Sequence, residues 1–359
     1  MKTMSEYKKR RNKRILKFVL ALAILAIVSS AAYFAYLWFS YERMGDYKYL
    51  EANICGEYSR LSERADALDT SRAYNFMTWN IDHAVYEKTY SAKIEGGDDT
   101  WASSKDAVMS DICEIAHVIN MTNPDFTLLQ RVDENGTISR NIDEKELLED
   151  TIEESYYYTY AFNGNSKFLP YPLYKSYGVN ESGLITYAYT DIRESVRRLL
   201  PKAEGIKKIL DVDRCYTVTK LMTDKDKYLC IYNVDLSGPF TDEELLKEQL
   251  QVIVNDMAKE YAVGNYVVCG GDFNMDIKDE NSINLPAGLE RAIAYANPDS
   301  VKHESSRDAS TTYNEETSET YTFDGFIVSE NIRVNYYNNA QWGYEYSSHD
   351  PVIMQIFLE

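Results

Sequence analysis

From Phe18 to Phe39 the chain reads FVLALAILAIVSSAAYFAYLWF, 22 residues without a charge. No other stretch limits so strongly what the chain can fold into. As a helix rising about 1.5 Å per residue, it matches the roughly 30 Å hydrocarbon layer of a bilayer. Eight cations (Lys2, Lys8, Lys9, Arg10, Arg11, Lys13, Arg14, Lys17) precede it, against one acid, Glu6. That asymmetry predicts a cytoplasmic N-terminus, with Tyr33, Tyr36 and Trp38 at the far interface. The rival reading is a cleaved signal peptide with Ser29-Ser30-Ala31 as its small-residue site, but the apolar run continues for eight residues past that point. Both readings export whatever follows. The expectation is a single-pass protein of the cell membrane, with a basic cytoplasmic segment at 1–17, an anchor at 18–39 and the C-terminal domain outside.

The formal net charge is −19, so the +7 carried by residues 1–17 leaves −26 on everything after them. A body that acidic repels polyanions at long range, which argues against nucleic acid as a partner. A single phosphate in a cleft is not excluded. The five cysteines, Cys55, Cys113, Cys215, Cys230 and Cys269, form no CxxC pair and no disulfide framework. Cys230 and Cys269 sit in strand-like contexts, where a free thiol behaves as a small apolar side chain.

Residues 40–73 are polar and read as a stalk; residues 74–359 read as one domain. Within it strands and helices alternate. YNFMTWN, DFTLLQ and GLITYAYT read as strands, and CYTVTKL and KYLCIYNVD as a pair around the TDKD turn. NYVVCGGD, YTFDGFIVS and PVIMQIF complete the set. Ser103 with Asp106 is the expected cap of a helix whose apolar face is Val108, Ile112, Ile115, Ala116 and Ile119. Thr241 with Glu244 is the expected capping box of a second, carrying Leu245, Leu246, Leu250, Ile253, Val254 and Met257 and stopped by Gly264. Residues 162–182, aromatic and turn-rich, have the profile of a loop bordering a pocket, and 303–320 that of a solvated loop.

The chemistry gathers at strand ends. In GGDFNMD, Asp272 and Asn274 stand at i and i+2, which puts them on one face of an extended chain. A carboxylate beside an amide can orient a phosphoryl oxygen or a metal-bound water; alone, the pair is equally an Asx turn. It is not alone. Asn80 ends FMTWN, Asp324 lies in TFDGFIVS, and His349 stands directly before the last strand in YSSHDPV.

In that order FMTWN, DFTLLQRVD, YNVDL, GGDFN, TFDGFIVS and SSHDPV resemble the endonuclease/exonuclease/phosphatase superfamily, over about residues 74–359. The superfamily includes DNase I-like nucleases, sphingomyelinases and inositol-phosphate phosphatases. The resemblance implies an α/β fold, a four-layer sandwich of two β-sheets flanked by helices. It also implies a cleft at one rim in which Mg²⁺ or Mn²⁺ helps hydrolyse phosphate esters. Asn80, Asp272 and Asn274 match the residues that orient phosphate and nucleophile, and Asp272 is the metal ligand if there is one. His349 with Asp324 matches a His–carboxylate pair in which the acid fixes the imidazole tautomer.

Three positions depart: Arg131 stands where the family has its metal-binding Glu, Asp235 where it has His, and Ser348 where it has Asp. Guanidinium in place of a carboxylate removes a ligand and adds a permanent positive charge. Three outcomes stay open. Arg131 bridges Asp272 or Asp235 as an internal ion pair; Asp235, Asp272 and Asp82 hold a shifted metal; or Arg131 clamps a phosphate itself. The expectation is impaired or absent hydrolysis, with a phosphate ester or phospholipid headgroup as the ligand class.

Overall fold

The computed structural model describes residues 4–40, 44–64, 66–202, 213–238, 243–280 and 282–359. The side chains of Ser5, residues 37–40 and Tyr58 lie outside that set, Trp38 among them. The chain divides into two units, Met1–Glu42 and Arg43–Glu359.

The described residues of the first unit form one helix, α1 (Met4–Ser40), which takes in residues 4–17 of the basic segment as well as the apolar run. Phe18, Leu20, Leu25 and Ile27 on it are all more than half exposed. Its span from Glu6 to Tyr36 is long and apolar enough to cross a membrane.

The second unit opens with β1 (Lys48–Tyr49), β2 (Asn53–Cys55) and α2 (Tyr58–Ser62). There follow β3 (Ala73–Asn80), α3 (Lys105–Thr122), β4 (Phe126–Gly136), α4 (Glu144–Thr151), β5 (Tyr156–Leu169), β6 (Gly178–Ala188) and β7 (Glu194–Leu199). Then come β8 (Cys215–Met222), β9 (Tyr228–Asp235), α5 (Glu243–Ala262) and β10 (Tyr266–Asp272). The chain ends with β11 (Leu289–Arg291), β12 (Ser306–Arg307), β13 (Thr320–Tyr321), β14 (Asp324–Ser329), β15 (Ile332–Asn339) and β16 (Val352–Leu358).

Among the described residues β12 and β13 pair with each other, and the other strands form two seven-stranded sheets, ordered β1-β7-β8-β9-β10-β14-β11 and β15-β16-β3-β4-β6-β5-β2. The sheets bury their inner faces on each other: Phe76 of β3 and Phe326 of β14 meet edge to face at 6.1 Å. Leu250, Ile253, Val254 and Met257 of α5 join the core of the first sheet. The expected apolar face of α3, Val108 through Ile119, packs with Met77, Leu129 and Ile185 of the second. Helix, sheet, sheet and helix make the four layers expected. Cys230 and Cys269 are buried among the strands, as read from their contexts.

Four details differ from expectation. Of the segment read as a stalk, 40–73, the described residues from 44 onward belong to the second, folded unit. β1 extends the first sheet beside β7, β2 extends the second beside β5, and Cys55, Leu61 and Leu68 are buried. Its strands sit at sheet edges, where one side stays solvated, so their composition reads as polar. The cap of α3 is Ser104, whose Oγ accepts from Ala107 N at 3.1 Å, and not Ser103. Most of 162–182 is the β5–β6 hairpin and not a loop. Within 303–320, Arg307 is buried and its guanidinium donates to the carbonyls of Tyr86, Glu87, Tyr90, Asp308 and Thr311. Thr241 of the expected capping box lies outside the described residues; α5 is helical from Glu243.

Candidate active site

Asn80, Asp235 and Asp272 are the last residues of β3, β9 and β10, and Asp324 is the first of β14. β9 and β10 are parallel with Asp272 opposite Asp235, while β14 runs antiparallel with Asp324 opposite Asp272. Carboxylates from three strands therefore arrive at one rim. The glycine before Asp272 allows it: a Cβ on Gly271, which has φ +149°, would stand 1.9 Å from the Val234 carbonyl oxygen.

Two irregularities bring in the remaining charges. The pairing of β4 with β6 slips between Leu129 and Val132, and within that bulge Arg131 adopts φ 55°. Bulges re-aim side chains, and this one turns the guanidinium onto the rim. After β3, Asp82, His83 and Ala84 take φ of 47°, 61° and 47° in succession. Three non-glycine residues in the left-handed region cost roughly 1 kcal/mol or more each, so tertiary contacts must hold the turn. They do: Arg131 and Ser348 both donate to Asp82, and His83 Nδ1 meets Asp133 Oδ1 at 2.7 Å.

The family-matching residues converge. Asn80 Nδ2 donates to Asp272 Oδ2 at 2.9 Å, and Asn274 donates to Asp272 from its backbone at 2.9 Å and its amide at 3.0 Å. His349 Nδ1 meets Asp324 Oδ2 at 2.7 Å. Its Nε2 points at the same cluster, 3.7 Å from Asp82 and 3.9 Å from Asp272.

Arg131 occupies the centre. Its Nη1 lies 2.5 Å from Asp82 Oδ1, and its Nη2 lies 3.4 Å from Asp235 and 3.6 Å from Asp272. Asp235 also takes Arg214 at 2.7 Å and Asn163 Nδ2 at 2.9 Å. Asp82 and Ser348 complete one another, so the serine caps a carboxylate that has moved in from the turn after β3. Four carboxylates thus face two guanidiniums and one imidazole, and Nε, Nη1 and Nη2 of Arg131 each already face one of those acids.

The charges set one another. Burial opposes ionisation of Asp82 and Asp235, but Arg131 with His349 at the first, and Arg214 with Arg131 at the second, hold both below the usual carboxylate range. Burial and the neighbouring acids push Asp272 up to about 7, against His349 and Arg131. Burial disfavours the charge on His349, yet Asp324, Asp272 and Asp82 outweigh it and raise its pKa to about 10. At neutral pH the ring is an imidazolium, which can donate but cannot act as a base.

A divalent metal fits this arrangement poorly. Asp272, Asp324 and His349 each offer one donor atom within 4.8 Å of the others, a spacing an ion can bridge. However, Asp324 Oδ2 and His349 Nδ1 are spent on each other, and Asp272 already accepts from Asn80 and Asn274 and lies 3.6 Å from Arg131. A cation on Asp272 would stand about 4 Å from the guanidinium, where two unit charges at an effective dielectric near 20 repel by about 4 kcal/mol. A 2+ ion fares worse.

Sequence reasoning missed Arg214, Asn163 and the His83–Asp133 pair. Arg214 had a signal: in a β8–β9 hairpin the residue ahead of β8 lies beside the end of β9, hence beside Asp235.

Two stacked seven-stranded sheets in this strand order, flanked by helices, make a DNase I-like fold. Among solved structures, truncated TDP2 of Caenorhabditis elegans is similar with a TM-score of 0.54 at 15% identity, over 80% of this chain and 98% of that one. An endonuclease/exonuclease/phosphatase from Beutenbergia cavernae gives 0.56 at 17%, over 80% and 72%. One from Bacteroides vulgatus gives 0.54 at 14%, over 80% and 100%. At such identities the likeness is one of fold. No family model and no curated protein matches the sequence.

Proposed function

We propose that this is a membrane-anchored, exported protein that keeps a phosphoesterase fold around a site neutralised by its own arginine, and that it binds rather than hydrolyses. The observation that carries the reading is the Arg131 guanidinium, 2.5 Å from Asp82 and within 3.6 Å of Asp235 and Asp272. It supplies the positive charge those acids need, so they have no call on a metal. The ligand class is a phosphate ester or phospholipid headgroup. One structural neighbour is TDP2 of D. rerio with a single-strand DNA product. For this chain the −26 carried beyond residue 17 weighs against a polyanion of that kind. Export rests on α1 and on the cations that precede its apolar run.

The test is calorimetric titration of the detergent-solubilised chain with Mg²⁺ and Mn²⁺, alongside hydrolysis of bis(p-nitrophenyl) phosphate with and without EDTA. Neither saturable metal binding nor turnover is expected. Brisk turnover that EDTA abolishes would overturn the proposal. Restoring the family residues together, Arg131→Glu with Asp235→His and Ser348→Asp, is expected to create metal binding.

A second reading, a rewired metal hydrolase, has one observation in its favour. Asp324 Oδ1 is buried with no hydrogen-bond partner among the described residues, close to Asp272 and His349. On that reading Mn²⁺ binds the unaltered chain and Asp324→Asn abolishes it.

A further inference from the structure

Outside the rim, one group of cations is conspicuous for lacking partners. Arg140 Nε donates to the Ala102 carbonyl at 2.8 Å and its guanidinium carbon lies 5.3 Å from the centre of the Trp101 ring. Those two contacts fix the group and leave both terminal nitrogens over. Among the described residues of this unit, it is the arginine that reaches no carboxylate and whose terminal nitrogens reach no acceptor. Every other one has an acid or backbone carbonyls, Arg307 included. Lys105, the first residue of α3, also has no ion-pair partner among the described residues. In a body this acidic, the two cations stand at one hollow without an acid to neutralise them.

They line a single open hollow of about 570 Å³, together with Trp101, Thr137 and Asn141. No carboxylate lines it; Asp106, in the first turn of α3, is exposed and stands outside it. The groups facing in are rich in donors. Thr137 Oγ1 accepts from Val179 N at 2.9 Å, which leaves its hydroxyl proton to give. Ser104 Oγ takes the Ala107 N–H, so the first amides of the 18-residue helix α3 remain, at the end where its dipole favours an anion. Trp101 is itself pinned by its Nε1–H to the Ser176 carbonyl at 2.9 Å. The platform under the guanidinium is therefore fixed before any ligand arrives.

We propose that this hollow binds a phosphate-type oxyanion, held by the free fork of Arg140 and by Lys105 beside the N-terminus of α3. Two terminal guanidinium nitrogens match two oxygens of one phosphate, and the lysine adds a point charge. The site is separate from the carboxylate cluster and does not depend on whether that cluster holds a metal. The same chemistry fits a soluble phosphate monoester or the exposed phosphate of a lipid headgroup.

The experiment titrates the full chain in neutral detergent with inorganic phosphate and with glycerol 3-phosphate, by calorimetry and tryptophan fluorescence. It is then repeated in phosphatidylcholine nanodiscs with and without phosphatidic acid. Saturable phosphate binding is expected, weakened by about tenfold or more in Arg140→Ala and in Lys105→Ala, the loss of one charge-assisted contact. Arg140→Lys, which keeps a charge but not the fork, is expected to fall between. Lys105 is exposed at a helix end, so its variant reports even if removing Arg140 disturbs the fold. Competition by phosphatidic acid assigns the site to a lipid headgroup, and its absence to a soluble ester. Failure of phosphate to bind, or equal affinity in the Arg140→Ala and Lys105→Ala variants, overturns the proposal.

Discussion

Replacing Arg131 with alanine would leave Asp82, Asp235 and Asp272 buried together without the cation they share. Removing one partner of a buried charge cluster costs about 3–5 kcal/mol, so the urea midpoint of Arg131→Ala in EDTA is expected to fall accordingly. Adding Mn²⁺ is expected to restore part of that loss, because the acids regain a counter-charge. The pH response follows from His349. Its pKa rises from 6.5 to about 10 on folding, so the proton it holds stabilises the fold fully below about 6.5, and that stabilisation disappears as pH climbs through about 10. Asp272, raised to about 7, has the same sign and loses its contribution as pH passes that value. Thermal unfolding in EDTA is therefore expected to move to lower temperature between neutral pH and about 10, by up to about 1.4 kcal/mol per pH unit. His349→Gln is expected to flatten the profile.

At the scale of the element, the close approach of β9 and β10 positions Asp235 and Asp272. Gly271→Ala would press a methyl group into the Val234 carbonyl, and a loss of about 3 kcal/mol in chemical denaturation is expected, with both carboxylates displaced. Strand ends are also where the sequence was most readable. Asn80, Asp272, Asn274, Asp324 and His349 each follow or precede an apolar run, and pairing of those runs carries them to one rim. The inward turn of Arg131 was open to view only as one of three options, because it depends on a bulge set by the register of β4 against β6. Asp82 at the core of the cluster was harder to see. Nothing in IDHA announces three consecutive left-handed residues, since the contacts that hold them come from distant Arg131, Asp133 and Ser348.

For the whole molecule, removing residues 1–42 takes away the one helix among the described residues that is long and apolar enough to cross a membrane, while the second unit begins after it. The 43–359 fragment is expected to stay in solution without detergent and to unfold at the temperature of the full chain. A fragment from residue 74 is expected to unfold several kcal/mol more easily. It loses β1, β2 and the buried Leu61 and Leu68, each worth about 2–5 kcal/mol in a packed interior. The layered architecture was legible because apolar periodicity reports buried faces. The boundary at residue 74 was not, because edge strands are half solvated and carry little of that signal. The arginine at the rim has a further consequence. A metalloprotein receives its charge from the medium, and chelation, scarcity or a competing ion can take that charge away. Here the balancing charge is made at the ribosome with the rest of the polypeptide, so no change in the supply of ions around the protein can strip it out.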